Sequence, residues 1–160
     1  MGQVSQTLDT EHRAALALLG RLEQAIARST RAPTDDTQFA ALASAFVRLL
    51  EHDTGAHFDF EERELFVRMI DAGEGDIAAL LSEEHGAIRE AVAELLPLAR
   101  EVASGTLADS DFDAFKRGVQ EIIERQVSHI QKETMALLPM LDDLLDDDTD
   151  RELSMAYASA

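Results

Sequence analysis

The stretch HFDFEERELFVRM, residues 57–69, decides the fold, because HIQKETMALLPML answers it at residues 129–141, an offset of 129 − 57 = 72. In each, a histidine is followed four residues later by a glutamate: His57 with Glu61, and His129 with Glu133. Four residues advance roughly 400° around an α-helix, so each pair lies on one face. Upstream of each stretch stands a matching dipeptide, in EHRAALALL at 11–19 and EHGAIREAV at 84–92. Its histidines, His12 and His85, are 73 residues apart, and the intervals His12–His57 and His85–His129 are 45 and 44. These matches read as an internal duplication of a helical hairpin, with an approximate two-fold axis between the copies.

Working outward, apolar residues recur at steps of three and four on both sides of these motifs. The segments are 6–28, 37–71, 76–103 and 110–146, separated by STRAPTDDT (29–37), DAGEGD with Gly73 and Gly75, and SGTLADSD (104–111). One stripe runs Leu8, His12, Ala15, Leu19, Leu22, Ile26; the next Phe39, Ala43, Phe46, Leu50, Asp53, His57, Phe60. The third is Ile77, Leu81, His85, Ile88, Val92, Leu95, and the fourth Phe112, Phe115, Val119, Ile122, Gln126, His129, Glu133. No period-2 alternation competes, and short connections make neighbouring helices antiparallel. The sequence therefore predicts an all-α, up-down-up-down four-helix bundle over residues 1–148, with 149–160 a short C-terminal helix or tail. Pro97 and Pro139 fall inside helical patterns and are expected to bend or end them. The run Asp146, Asp147, Asp148 suits the C-terminus of a helix poorly.

Composition narrows the function. The chain has 160 residues, 46% hydrophobic and 29% charged, enough for one globular core. Its formal charge is −18, which disfavours nucleic acid and anionic membranes as partners. There is no cysteine, so disulfides, thiolate metal sites and Cys nucleophiles are excluded. No apolar run approaches the roughly 20 residues that span a bilayer, and no secretory signal pattern is visible. A cytoplasmic protein is expected.

Four histidines and two glutamates on core stripes need a common explanation, since a buried ionisable group without a partner costs several kcal/mol or shifts its pKa. A metal site supplies one. Taken alone, an HxxxE pair is an ordinary surface contact, but two such pairs with two further seam histidines at matched spacing are not. His12, His57, Glu61, His85, His129 and Glu133 are the expected ligands. About a two-fold axis they suit two metals, each taking two histidines, with Glu61 and Glu133 bridging. Such donors favour iron or manganese, and zinc can substitute. His52 lies about 140° from His57 on its helix and is expected outside the ligand set. No ExxH, HExxH or EF-hand pattern is present.

The order EH, HFDFEERELF, EEH, HIQKE across residues 8–145 resembles the hemerythrin-like (HHE cation-binding) family, in its bacterial H–HxxxE–H–HxxxE subgroup. The resemblance implies an antiparallel bundle around a non-haem di-iron centre, oxo- or hydroxo-bridged, with Glu61 and Glu133 as carboxylate bridges. The oxygen carriers of the family have a second histidine four residues after the third-helix one; here that residue is Arg89. Both metals would then be open to water, peroxide, dioxygen or nitric oxide, which points away from simple oxygen carriage. Expected roles are oxidative or nitrosative stress chemistry, catalase-like or nitric-oxide-consuming, or else iron and oxygen sensing. Iron–sulfur repair is a further family role, although its proteins usually carry a Cys-containing N-terminal region that this Cys-free chain lacks. An apolar pocket lined by Leu19, Leu50, Phe60, Ile88 and Ile122 is expected beside the metals.

Overall fold

A computed structural model describes residues 1–160 and is helical throughout, without strands. Helix α1 spans Gln3–Ala27. Helix α2 begins as Thr37–His52, passes through π-helical turns at Asp53–His57 and Glu61–Leu65, and finishes as Phe66–Asp71. Helix α3 is Gly75–Ser104. Helix α4 runs Phe112–Lys132, through a third π turn at Glu133–Leu137, into Leu138–Leu144. A short α5, Asp147–Ala158, follows.

The first four helices pack in a ring, α1 on α2 and α4, and α3 on α2 and α4. Cross-contacts run in opposite chain directions: Arg100 reaches Glu51 while Arg89 reaches Glu62, so α2 and α3 are antiparallel. The expected up-down-up-down bundle is the observed fold, and α5 packs on α1 as its added helix.

Local chemistry sets the boundaries. The Asp36 carboxylate accepts from the N–H groups of Gln38 and Phe39 and starts α2. Gly105 ends α3 in the left-handed region at φ 72°, where a Cβ would come within 3.0 Å of the Thr34 carbonyl oxygen. The acidic run does not burden the end of α4, which stops at Leu144. Instead Asp146 caps α5 by accepting from the Thr149 N–H, and Asp147, Asp148 and Asp150 occupy its first turn, where negative charge is favourable. Pro97 lies within α3 without ending it. Pro139 is the second residue after a π turn, in the first turn of the helix that follows, where a missing N–H is tolerated.

The core is in two parts. Twenty buried apolar residues, including Leu22, Phe46, Phe58, Val92, Phe115 and Ile122, fill the bundle toward the α3–α4 loop. Eleven more, including Leu8, Leu65, Met69, Leu81, Leu137 and Leu141, fill the end where the chain starts. Between them lies a layer of buried polar side chains. No helix is long and apolar enough to cross a membrane.

Candidate metal centre

The polar layer is made by the six residues singled out from the sequence. His12, His57, Glu61, His85, His129 and Glu133 are all buried, none more than 4% exposed. Their ligand atoms form two sets that share both glutamates: His12, His57, Glu61 and Glu133, and Glu61, His85, His129 and Glu133. Glu61 Oε1 lies 3.4 Å from His57 Nε2 and 3.3 Å from His85 Nε2. Glu133 Oε1 lies 3.3 Å from His12 Nε2 and 3.1 Å from His129 Nε2. Each carboxylate thus stands between one histidine of each set, as the duplicated hairpin predicts.

The helices reach this arrangement through their π turns. His57 closes the first, Glu61 opens the second and Glu133 opens the third. The N–H groups of Phe58, Phe66 and Leu138 donate five residues back, to Asp53, Glu61 and Glu133. Thr54 Oγ1 donates back to the Leu50 carbonyl at 2.8 Å, serving part of the disturbed ladder. Such bulges recur at functional sites, and these three sit at three of the six residues.

Whether a cation fits can be judged from the layer itself. Apart from the Ser5 hydroxyl, every buried side-chain polar atom without a hydrogen-bond partner belongs to His12, Glu61, His85 or Glu133. Both oxygens of both glutamates are among them, although imidazole nitrogens lie 3.1–3.4 Å away. These donors and acceptors converge on shared points and are poorly aimed at one another. Orphaned carboxylates in an apolar core are costly, and a cation relieves the cost. The metal-free chain compensates with protons. Burial disfavours charge on His129, but Glu133 and Glu84 outweigh it and lift its pKa to about 9. His57 also rises well above its ordinary value, Glu61 and Glu11 overcoming burial.

Behind the histidines stand carboxylates that the sequence reading did not single out. Glu11 accepts from His57 Nδ1 at 2.7 Å, and Glu84 accepts from His129 Nδ1 at 2.9 Å. Glu62 Oε2 lies 3.3 Å from His85 Nδ1. Glu11 and Glu84 are the first letters of the repeated EH dipeptides, each serving the histidine of the following helix in its own hairpin. That repeat was the signal available. Partners of this kind fix which ring nitrogen faces inward. Arg89 does not enter the layer; its guanidinium grips Glu62 at 2.6 Å and lies 5.4 Å from the Phe58 ring centroid. Phe58 in turn stacks on His85 with centroids 3.7 Å apart. His52 is half exposed and outside the buried layer, bonded to Glu11 at 2.8 Å.

The open space beside the layer is not the expected apolar pocket. Leu19, Leu50, Ile88 and Ile122 interdigitate in the larger core cluster, and Phe60 packs with the smaller one. A cavity of about 10 Å³ lies instead against Glu11, His12, His57, His129 and Glu133, with Asp53 and Gln126 on its wall. Gln126 Nε2 donates to Asp53 Oδ2 at 2.9 Å, and burial pushes the Asp53 carboxyl up to about 6.

The sequence model of the hemerythrin HHE cation binding domain matches residues 3–141. No curated protein matches the chain.

Proposed function

The chain belongs to the hemerythrin HHE cation-binding domain family, and from that premise we propose that it holds two iron ions and uses them to bind or turn over peroxide, dioxygen or nitric oxide. The ligands in this reading are His12 and His57 for one metal, His85 and His129 for the other, and Glu61 and Glu133 bridging. The observation that carries it is the sharing of both glutamates between two buried four-residue sets. Four protein donors to each ion would leave room in its coordination for a small exogenous ligand. Manganese or zinc would be accepted by the same donors. Bound iron supplies the redox electrons and the open positions at which a small oxidant is held.

The protein's own part is confinement. The open space against the layer, about 10 Å³, is no more than one water needs and excludes organic substrates. Asp53 stands on its wall, held by Gln126, its carboxyl pushed by burial up to about 6. Glu11 and Glu84 hold the Nδ1 protons of His57 and His129, keeping each Nε2 turned inward.

The test is metal analysis and a visible spectrum on iron-loaded protein, followed by peroxide decomposition and nitric oxide consumption, with His57→Ala as control. About two irons per chain, an oxo-bridge absorption band and activity above free iron are expected; one metal or none defeats the paired site. If both metals bind and neither substrate is consumed, iron-dependent sensing is the better reading. The contact of α5 with the site's outer carboxylate favours that second role, since it couples the centre to the C-terminus.

A further inference from the structure

Three carboxylates stand behind the buried histidines, and they differ in what holds their remaining oxygen. Glu62 is gripped by Arg89 at 2.6 Å, and Glu84 is paired with Lys132. Glu11 pairs with no lysine or arginine; its ion-pair partners are His52 and His57 alone. Its Oε1 lies 2.8 Å from His52 Nε2, and its Oε2 accepts from the Tyr157 hydroxyl at 2.7 Å. The Tyr157 oxygen is itself 3.0 Å from His52 Nε2. An imidazole nitrogen and a carboxylate oxygen, both donors to transition metals, therefore meet at one corner beside the Tyr157 hydroxyl.

This corner faces solvent. The His52 side chain is 44% exposed and that of Glu11 28%, whereas the six residues of the buried layer are shut in. A cation needs a way to that layer, and a net charge of −18 draws cations to the surface. At the Glu62 and Glu84 corners a fixed positive charge stands in the way. At Glu11 there is no lysine or arginine, and the same carboxylate touches His52 outside and His57 inside.

We propose that Glu11 and His52, beside the Tyr157 hydroxyl, form a capture site for a divalent transition-metal ion, through which metal reaches the buried centre past His57. The inference rests on the metal-centre reading above. Capture exchanges water on the ion for His52 Nε2 and a Glu11 oxygen, and any proton shared between those two atoms leaves to solvent. No electron moves. Rotation of Glu11 then hands the ion inward.

Cobalt(II) is a suitable probe, being coloured in protein sites. The full metal-free chain is mixed with it in a stopped-flow instrument, and uptake is compared for the wild type, His52→Gln and His52→Asp. Glutamine keeps a neutral hydrogen-bond donor but is a poor ligand; aspartate keeps a ligand and loses the donor. Uptake by His52→Gln should slow by about tenfold or more, with final stoichiometry and affinity unchanged, while His52→Asp stays close to wild type. Equal rates in all three place the route elsewhere and overturn the inference. Slow uptake by His52→Asp with normal uptake by His52→Gln, or weakened final affinity in both, makes the corner a hydrogen-bonded clasp and overturns it too. A wild-type chain that takes up no cobalt, zinc or iron removes the buried centre itself, and this inference with it.

Discussion

Glu84 shows how much of the candidate site lies one bond behind its buried histidines. It accepts from His129 Nδ1 on one oxygen and pairs with Lys132 on the other, and is held ionised because those bonds outweigh its partial burial. Replacing it with alanine leaves the core untouched but frees the His129 ring to turn. Glu84→Ala is therefore predicted to weaken metal binding by roughly 10–100-fold while the helical signal stays constant. Competition against a chelator of known affinity measures this, and an unchanged affinity would show that Glu84 does not orient His129. Asp53 poses the opposite case. Burial raises its carboxyl from 3.8 to about 6, so the folded chain prefers it protonated. A raised acid gives its full stability below the unfolded value and loses it as pH climbs through the folded one. Above about pH 6 the buried charge costs the metal-free chain on the order of 2–3 kcal/mol. Asn at this position can still accept from Gln126. Asp53→Asn is thus predicted to stabilise the metal-free protein at pH 8 and to make no difference at pH 4. Denaturant midpoints at the two pH values test it, and an equal effect at both would locate the cause elsewhere.

Helix α5 has to be read with the first turn of α1. Gly2 offers α1 no capping side chain, and the carboxylate of Asp150 accepts from the N–H groups of Gln3 at 2.8 Å and Val4 at 3.0 Å in its place. One turn or two further on, Tyr157 reaches Glu11, so α5 is fastened to α1 at both ends. Asp150→Ala removes a cap, worth about 0.5–2 kcal/mol. For a chain of this size the melting temperature should fall by roughly 2–6 °C, and a calorimetric scan with no shift would mean that water replaces the carboxylate without loss. The helices themselves were legible in the sequence, because apolar residues at steps of three and four leave few other folds. Segment boundaries agreed within a few residues wherever a glycine or an N-cap marked them, as at Asp36, Gly73 and Gly105. The π turns were not legible: a bulge changes hydrogen-bond spacing without demanding a residue type, and only the packing of the polar layer selects it. Nor was the role of Tyr157, whose partner Glu11 lies 146 residues away along the chain. A contact of that separation leaves no periodic trace. Asp53 and Gln126 were visible as polar interruptions of the core stripes, yet their pairing needed α2 and α4 to be brought face to face.

At the scale of the molecule, the buried layer sets how stability answers to pH and to metal. Two families of groups act in opposite directions. Glu11 is drawn down to about 2: burial works against its ionisation, but bonds from His57, Tyr157 and His52 prevail. Its stabilisation is present above its ordinary value of 4.5 and is lost as pH falls toward about 2. His57 and His129 are raised, the latter from 6.5 to about 9. The His129 contribution is complete below 6.5 and disappears as pH rises through about 9, and that of His57 is lost in the same direction, as the protons that balance the buried carboxylates are stripped away. The metal-free protein should accordingly be most stable near pH 5–6 and should melt progressively earlier from there to pH 9, the −18 net charge adding its own repulsion. Metal reverses the dependence, because ligand histidines must be neutral to bind it. Loading then releases protons, so the loaded layer no longer depends on the protons that alkaline solution strips away. The gap between metal-loaded and metal-free melting temperatures is predicted to widen steadily between pH 6.5 and 9. Paired thermal scans with iron and with a chelator, at pH 6, 7.5 and 9, give the comparison. Parallel curves would mean that metal and protons do not compete for the same nitrogens, and the six-residue layer would then need another explanation for its orphaned carboxylates.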